Sequence, residues 1–410
     1  MTSLADRLKN LGLSAGQKSP GKAESEAQYP IEQVIAGQTE DTPHGPIFVA
    51  QQDHPADTAH GCASLRTNAP LDTIAQWAQA STDVFADPSR FGFLDAETTG
   101  LARGTGTYGF MLGAARYDGD TFQVRQFFMR DPTEEPAQLA ALQRYLSSCT
   151  ALVTFNGKTF DLPLLRTRYI VNGLDFPFAD LPHLDLLSLA RRLWRSRLPS
   201  RSLGTLEREI LHLPRTDEDV PGWMIPELYF DYLDDRDARP LAGVFYHNAI
   251  DVLSMAALLH HAAALLSDPL GCEVPAPDRA DMGRWYEELG QVDLATQLYE
   301  RALAGDLLAP VRSWILRRWS HLEKQRDNLD VAKRLWHEAA ANSEIYAHVE
   351  LAKVYEHRER NYAGAIFWTQ LALDKIGEPG TPPAERLRWS DALSHRLERL
   401  QRKSGAAAAK

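Results

Sequence analysis

Residues 91 to 100 read F-G-F-L-D-A-E-T-T-G, and this stretch decides how the rest of the chain is organised. Phe91 to Leu94 form a short apolar run of the kind a buried strand carries. Asp95 and Glu97 follow two apart, so on a strand their side chains point to the same side. Two acids that close repel unless a cation neutralises them, and hard carboxylate oxygens favour Mg²⁺ or Mn²⁺. A strand-end acid pair facing water would leave the same pattern.

Downstream, T-Y-G-F-M-L-G-A-A-R-Y (107 to 117), an Asp118-Gly119 turn and T-F-Q-V-R-Q-F-F-M (121 to 129) read as a hairpin. A helical stretch from Glu134, a strand-like A-L-V-T-F (151 to 155), a helix over F-D-L-P-L-L-R-T-R-Y-I-V and a short strand passing into a helix over H-L-D-L-L-S-L-A-R-R-L-W follow. The order is three strands, helix, strand, helix, strand, then helices. That predicts an α/β class, a mixed sheet flanked by helices. Upstream, residues 1–29 are expected to be a flexible leader, rich in Gly, Ser, Lys and Glu. Residues 30–85 hold short apolar stretches and a predicted helix at 70 to 80, and are expected to pack as an extension on the domain at 86–268.

Beyond Pro269 the pattern is helical only. Tyr286, Gly290, Ala295, Tyr299 and Ala302 fall at tetratricopeptide-like spacing. Ala332, Trp336 and Ala339 repeat the second half, as do Ala365, Thr369 and Ala372. The middle unit departs from the pattern, its first helix lacking the usual small residue. An all-α, tetratricopeptide-like repeat domain is therefore expected at 278–378. A capping helix with Trp389, Leu393, Leu397 and Leu400 on one face and a frayed tail are expected over 379–410.

The formal charge is −11, from 44 basic and 55 acidic residues, so a polyanion would have to be held by a local basic patch or through metal ions. Cys62, Cys149 and Cys272 are isolated, which excludes a zinc or disulfide framework and suits a cytoplasmic location. No signal peptide is read at the N-terminus, and no apolar run reads as membrane-spanning.

Two further motifs carry chemistry. In T-F-N-G-K-T-F-D (154 to 161), Asn156, Phe160 and Asp161 form N-x-x-x-F-D, with Asp161 opening a helix. The helix dipole favours a carboxylate there, and a plain N-cap would look alike. In L-A-G-V-F-Y-H-N-A-I-D-V-L-S-M (241 to 255), His247 and Asp251 lie four apart on one helix face among apolar neighbours. A buried Asp needs a partner, which a metal would supply; a surface ion pair is the alternative.

Together these elements resemble the DEDD exonuclease group of the RNase H-like superfamily. The resemblance is closer to its bacterial YprB-like branch, which joins such a domain to tetratricopeptide repeats. It is carried by G-T-G-T-Y-G-F-M-L-G (104 to 113), residues 153 to 165, 183 to 194 and 218 to 233, and H-N-A-I-D-V-L-S-M (247 to 255), and spans roughly residues 30 to 375. It implies Asp95, Glu97, Asp161 and Asp251 as ligands of two divalent ions, Mg²⁺ or Mn²⁺, in a nuclease acting on DNA or RNA, by family analogy an exonuclease. Asn156, Asp185 and Tyr246 are auxiliary candidates, Asp185 standing between ligand, substrate-side acid and helix start.

The tyrosine and histidine versions of the DEDD pattern place the catalytic residue four and five before the last Asp, and this chain has His247 at four and Tyr246 at five. On a helix a residue four back sits about 40° from Asp251 and one five back about 140° away, which favours His247 as the base. Arg191, Arg192, Arg195, Arg197 and Arg201, with Trp194 among them, form an acid-free island suited to phosphate and base contacts, or a solvated face around a core tryptophan. The competing class is a non-catalytic scaffold that works through its repeats and binds a protein partner. A haloacid-dehalogenase-type phosphatase is disfavoured, because that chemistry wants Asp where Glu97 stands.

Overall fold

The computed structural model describes residues 29–100 and 106–408. Apart from Tyr29, the leader expected over residues 1–29 lies outside them, as do Gly104 and Thr105 of the quoted motif. The chain divides into two compact units. One runs to Arg192 and resumes over Pro199–Asp268; the other takes Leu193–Leu198 together with Pro269 onward.

The first unit is built on a seven-stranded mixed sheet. Its strands are β1 (Gly37–Thr42), β2 (Gly45–Pro55), β5 (Phe91–Thr98), β6 (Gly109–Asp118), β7 (Thr121–Phe128), β8 (Ala151–Thr154) and β9 (His183–Asp185), in the order β1-β2-β7-β6-β5-β8-β9. The two-residue strands β3 (Ala59–His60) and β4 (Ala63–Ser64) form a separate ribbon. Pairing is antiparallel from β1 to β5 and parallel from β5 through β8 to β9. This is the α/β arrangement read from the sequence, with one addition. Residues 37–55 do not merely pack on the sheet but form its two outer strands on the β7 side. The apolar run of β2 is short, and its flanking Gln and Asp residues hide the strand period.

Phe91 to Leu94 are buried on both faces of the sheet, as a central strand with a parallel neighbour requires. Gly92 faces helix Glu135–Leu146: a Cβ there would come within 2.9 Å of Leu146. Asp95 takes the opposite face, which is covered by helix Leu241–Ser267. That helix is long and apolar enough to cross a membrane, contrary to the sequence expectation, but 72% of its apolar window is buried inside the protein. It is the core helix of the unit, and its polar residues His247, Asn248 and Asp251 sit over the sheet.

The second unit is all helical. Helices Ala276–Glu288 and Val292–Leu303, Ala309–Gln325 and Leu329–Ala341, and Ile345–His357 and Tyr362–Gly377 form three successive pairs, followed by Pro383–Ala408. The periodic alanines Ala295, Ala302, Ala332, Ala339, Ala365 and Ala372 are fully buried. Two details correct the sequence reading. Gly290 has φ +76° and open space around it, so it is the turn glycine. Close packing of the first pair rests on Gly283, where a Cβ would come within 2.8 Å of the Tyr299 ring. Ser320, at the same offset before Ala332, is buried and supplies the small residue thought missing from the middle unit. The final helix also continues to Ala408, beyond where fraying was expected.

Candidate functional site

The sheet presents Asp95 within a cross-strand row. Asp95 pairs with Gly113 on β6, and Gly113 pairs with Gln126 on β7. Asn248 descends from the long helix onto the space Gly113 leaves: a Cβ on Gly113 would lie 2.0 Å from Asn248 Oδ1. Asn248 Nδ2 donates to Asp95 Oδ2 at 2.9 Å, while its Oδ1 accepts from Gln126 Nε2 at 3.1 Å. Gln126 Nε2 also donates to the Phe245 carbonyl at 2.7 Å. The amide orientation of Asn248 is thus fixed by a donor on one side and a carboxylate on the other.

Asp161 is the first residue of helix Asp161–Val171, preceded by Phe160 at the cap position, and no side chain caps that end. It holds the first helical position rather than the cap, and it is 9% exposed. Asp185 has a different role. At 4% exposure it accepts from the backbone N–H groups of Asn156 (2.9 Å), Lys158 (3.2 Å) and Leu187 (3.0 Å). Its two oxygens hold the loop before Asp161 and start the next helix, the structural choice among those open for it. Asn156 takes φ +65°, a left-handed conformation Asn tolerates, and turns the chain toward Asp161.

Asp95, Asn156 and Asp251 line one cleft of about 460 Å³ together with Phe155, Leu187, Arg191, Ser200, Arg201, Ser202 and Leu203. The acids in and around it press on one another. Asp95 is held well above the usual carboxylate range by burial and then by the charges of Asp251, Glu97 and Asp161. Glu97 is pushed up to about 7, by burial first and by Asp251 and Asp161, with His247 and Asn248 opposing. Asp161 is also pushed up to about 7, chiefly by burial and in part by Asp185. Such mutual repulsion in a water-poor site is what a divalent cation relieves.

Sequence reading missed the fourth corner. Arg215 lies on the segment after the π-helical turn Glu207–Leu211. It forms a fork with Glu207, Nε to Oε2 at 2.6 Å and Nη2 to Oε1 at 2.8 Å. It also bonds Asp251 through Nη2 and reaches Asp219 at 3.3 Å. His247 turns Nδ1 to Asp219 Oδ1 at 2.7 Å and Nε2 toward Asp251 Oδ2 at 3.8 Å. Arg215 Nη1 also lies 3.1 Å from His247 Nδ1. One ring nitrogen cannot donate to Asp219 and accept from Arg215, and the shorter carboxylate contact places the proton on Nδ1. Burial disfavours the charged imidazole, but Asp251, Glu97 and Asp219 outweigh it and the net shift is upward. Tyr246 points elsewhere, accepting a hydrogen bond from Thr216 Oγ1 at 3.0 Å. An Arg preceding a cluster of acids (R-T-D-E-D, 215 to 219) was the available signal, but loop charges of that kind usually face water.

Among the described residues no three His, Cys, Asp or Glu side chains are gathered as ready-made ligands of one ion. Asp251 shows one reason, since an arginine already takes its carboxylate. The donor set still suits a hard divalent cation, being all carboxylate oxygen and strained by its own charge.

The basic island divides. Arg191 and Arg201 line the cleft. Arg197 is committed to Asp278 at 2.8 Å, and the neighbouring Ser196 bonds Asp281. Trp194 is 1% exposed, a core residue with no face to offer a base. Arg192 is half-buried and Arg195 is exposed, and neither lines the cleft.

A family model of the RNase_H superfamily matches residues 92–263, the span from β5 through most of the long helix. The chain is also 30% identical over 366 residues to YprB, an uncharacterized protein of Bacillus subtilis (strain 168), covering 87% of this chain and 86% of that one. With the mixed sheet, the acid-lined cleft and the helical second unit in place, the chain belongs to the YprB-like family and carries an RNase_H superfamily domain over residues 92–263.

Proposed function

We propose that this protein is a divalent-metal-dependent nuclease that hydrolyses phosphodiester bonds of DNA or RNA, acting as an exonuclease in the cytoplasm. The observation that carries the reading is the set of buried acids in and around the cleft that Asp95 and Asp251 line. Burial disfavours Asp95, Glu97, Asp161 and Asp251 as free carboxylates, and the charges of Asp251 and Asp161 press further on Asp95 and Glu97. Bound there, a pair of Mg²⁺ or Mn²⁺ ions would supply the water activation and leaving-group stabilisation that in-line attack on phosphorus needs. The protein's own residues do the rest. Asn248 orients Asp95, and Asp185 fixes the loop that presents Asp161. His247 is the proton acceptor, its Nδ1 proton held by Asp219 and its Nε2 turned toward Asp251. Arg191 and Arg201, on the cleft wall, supply the local positive charge that an acidic chain needs in order to hold a polyanion.

The scaffold reading predicts no need for a coherent acid cluster under a dedicated amide relay. Its repeats remain the surface for a protein partner. End-labelled DNA and RNA oligonucleotides incubated with Mn²⁺, Mg²⁺ or EDTA separate the two readings.

A further inference from the structure

Arg215 is an unusual neighbour for a cation site. Its partner Glu207 has no exposed surface, and the two-point fork fixes the guanidinium plane. With that end anchored, Nη2 still reaches Asp251, and Nη1 reaches Asp219. Asp251 therefore already has a positive partner at Oδ1. A buried acid without one would be costly, and this pairing holds the Asp251 carboxylate in place.

We propose that Arg215 is a built-in competitor of the divalent cation at Asp251, so that metal enters the cleft by exchanging with the arginine rather than by filling a preformed cage. The inference rests on the metal-dependent reading above. It accounts for acids that press on one another without being assembled, among the described residues, as ligands of one ion. Arg215 remains tied to Glu207 during the exchange, and the metal-binding threshold is set by the strength of one ion pair.

The test is Mn²⁺ titration of the full chain, following free Mn²⁺ by electron paramagnetic resonance, with no substrate present. Three proteins are compared: wild type, Arg215→Gln, and the double variant Arg215→Met with Glu207→Gln, which removes the fully buried Glu207 charge together with its partner. Removing a unit positive charge beside the site should tighten Mn²⁺ binding on the order of tenfold or more. If the single variant does not fold, the double variant carries the test. Wild-type binding with unchanged or weaker affinity in the folded variants overturns the competition while leaving the metal site standing. A wild-type protein that binds no Mn²⁺ overturns the competition and the metal-dependent reading together.

Discussion

Asn248 Nδ2 donates to Asp95 Oδ2 at 2.9 Å across the gap that Gly113 leaves in the sheet. The row Asp95, Gly113, Gln126 is continuous across three strands, and the long helix locks onto it through one amide. Gly113 is thus required by close approach rather than by backbone conformation.

Gly113→Ala should displace Asn248, because the new Cβ would sit 2.0 Å from its Oδ1. The expected destabilisation is about 1–3 kcal/mol, with nuclease activity falling roughly 10–100-fold. Asn248→Ala should lose similar activity by freeing Asp95 to rotate. Denaturant melts and initial rates check both, and full activity in folded Asn248→Ala would show that Asp95 needs no orienting partner.

The acids set how stability depends on pH. Glu97 and Asp161 titrate near 7 in the fold, above their ordinary values of about 4. They favour the fold when neutral, so this contribution is lost as pH rises from about 4 through 7. His60, His183 and His260 are pushed down to about 4, chiefly by burial. They favour the fold when neutral, and that contribution fades as pH falls from about 6.5 toward 4. The two contributions therefore oppose each other over the same window, and above about pH 7 the cost of the ionised acids is fully present. Saturating Mn²⁺ should raise Tm more at pH 8 than at pH 5.5, and Asp95→Asn should raise the metal-free Tm at pH 8. Calorimetry at the two pH values checks this, and an equal Mn²⁺ effect at both would count against ionised carboxylates as the ligands.

How much of this was legible in the sequence varies with the physics of each element. Strand β5 announced itself because a buried central strand is apolar before its acids begin. The helix carrying His247 and Asp251 was equally clear from its apolar neighbours. The strands β1 and β2 were not, since outer strands alternate weakly and carry polar side chains. Arg215 and Asp219 were invisible as a site because their partners Glu207, His247 and Asp251 are distant in sequence and meet only through the fold. Trp194 and Arg197 stood between two readings, a nucleic-acid grip and a solvated face around a core tryptophan, which composition alone could not separate; Trp194 is buried and Arg197 pairs with Asp278.

His247 and Tyr246 divide by geometry. His247→Ala should lose most of the rate, and Tyr246→Phe, which removes only the acceptor of the Thr216 hydrogen bond, should keep it. Asp219→Asn should fall between, because the imidazole loses the carboxylate that fixes its Nδ1 proton. Single-turnover rates under saturating Mn²⁺ compare them. A dead Tyr246→Phe beside an active His247→Ala would reverse the assignment.

Arg191 and Arg201 line the cleft and are proposed to neutralise the substrate's phosphates. Replacing Arg191 and Arg201 with Ala should flatten the salt dependence of oligonucleotide binding by about 0.7–0.9 in log–log slope for each phosphate no longer neutralised. Arg197→Ala should leave that slope unchanged and lower Tm instead, since it strips Asp278 of its partner. Binding measured across a series of salt concentrations separates the two.

The central claim is that the four carboxylates make this protein a metal-dependent nuclease. The most direct test is incubation of end-labelled single- and double-stranded DNA and RNA with wild type and Asp95→Asn, in Mn²⁺, Mg²⁺ or EDTA. The account predicts stepwise shortening of at least one substrate by wild type in Mn²⁺ or Mg²⁺. It predicts no cleavage in EDTA, and none by Asp95→Asn. Intact substrates throughout, or shortening that persists in EDTA or in the variant, would contradict it.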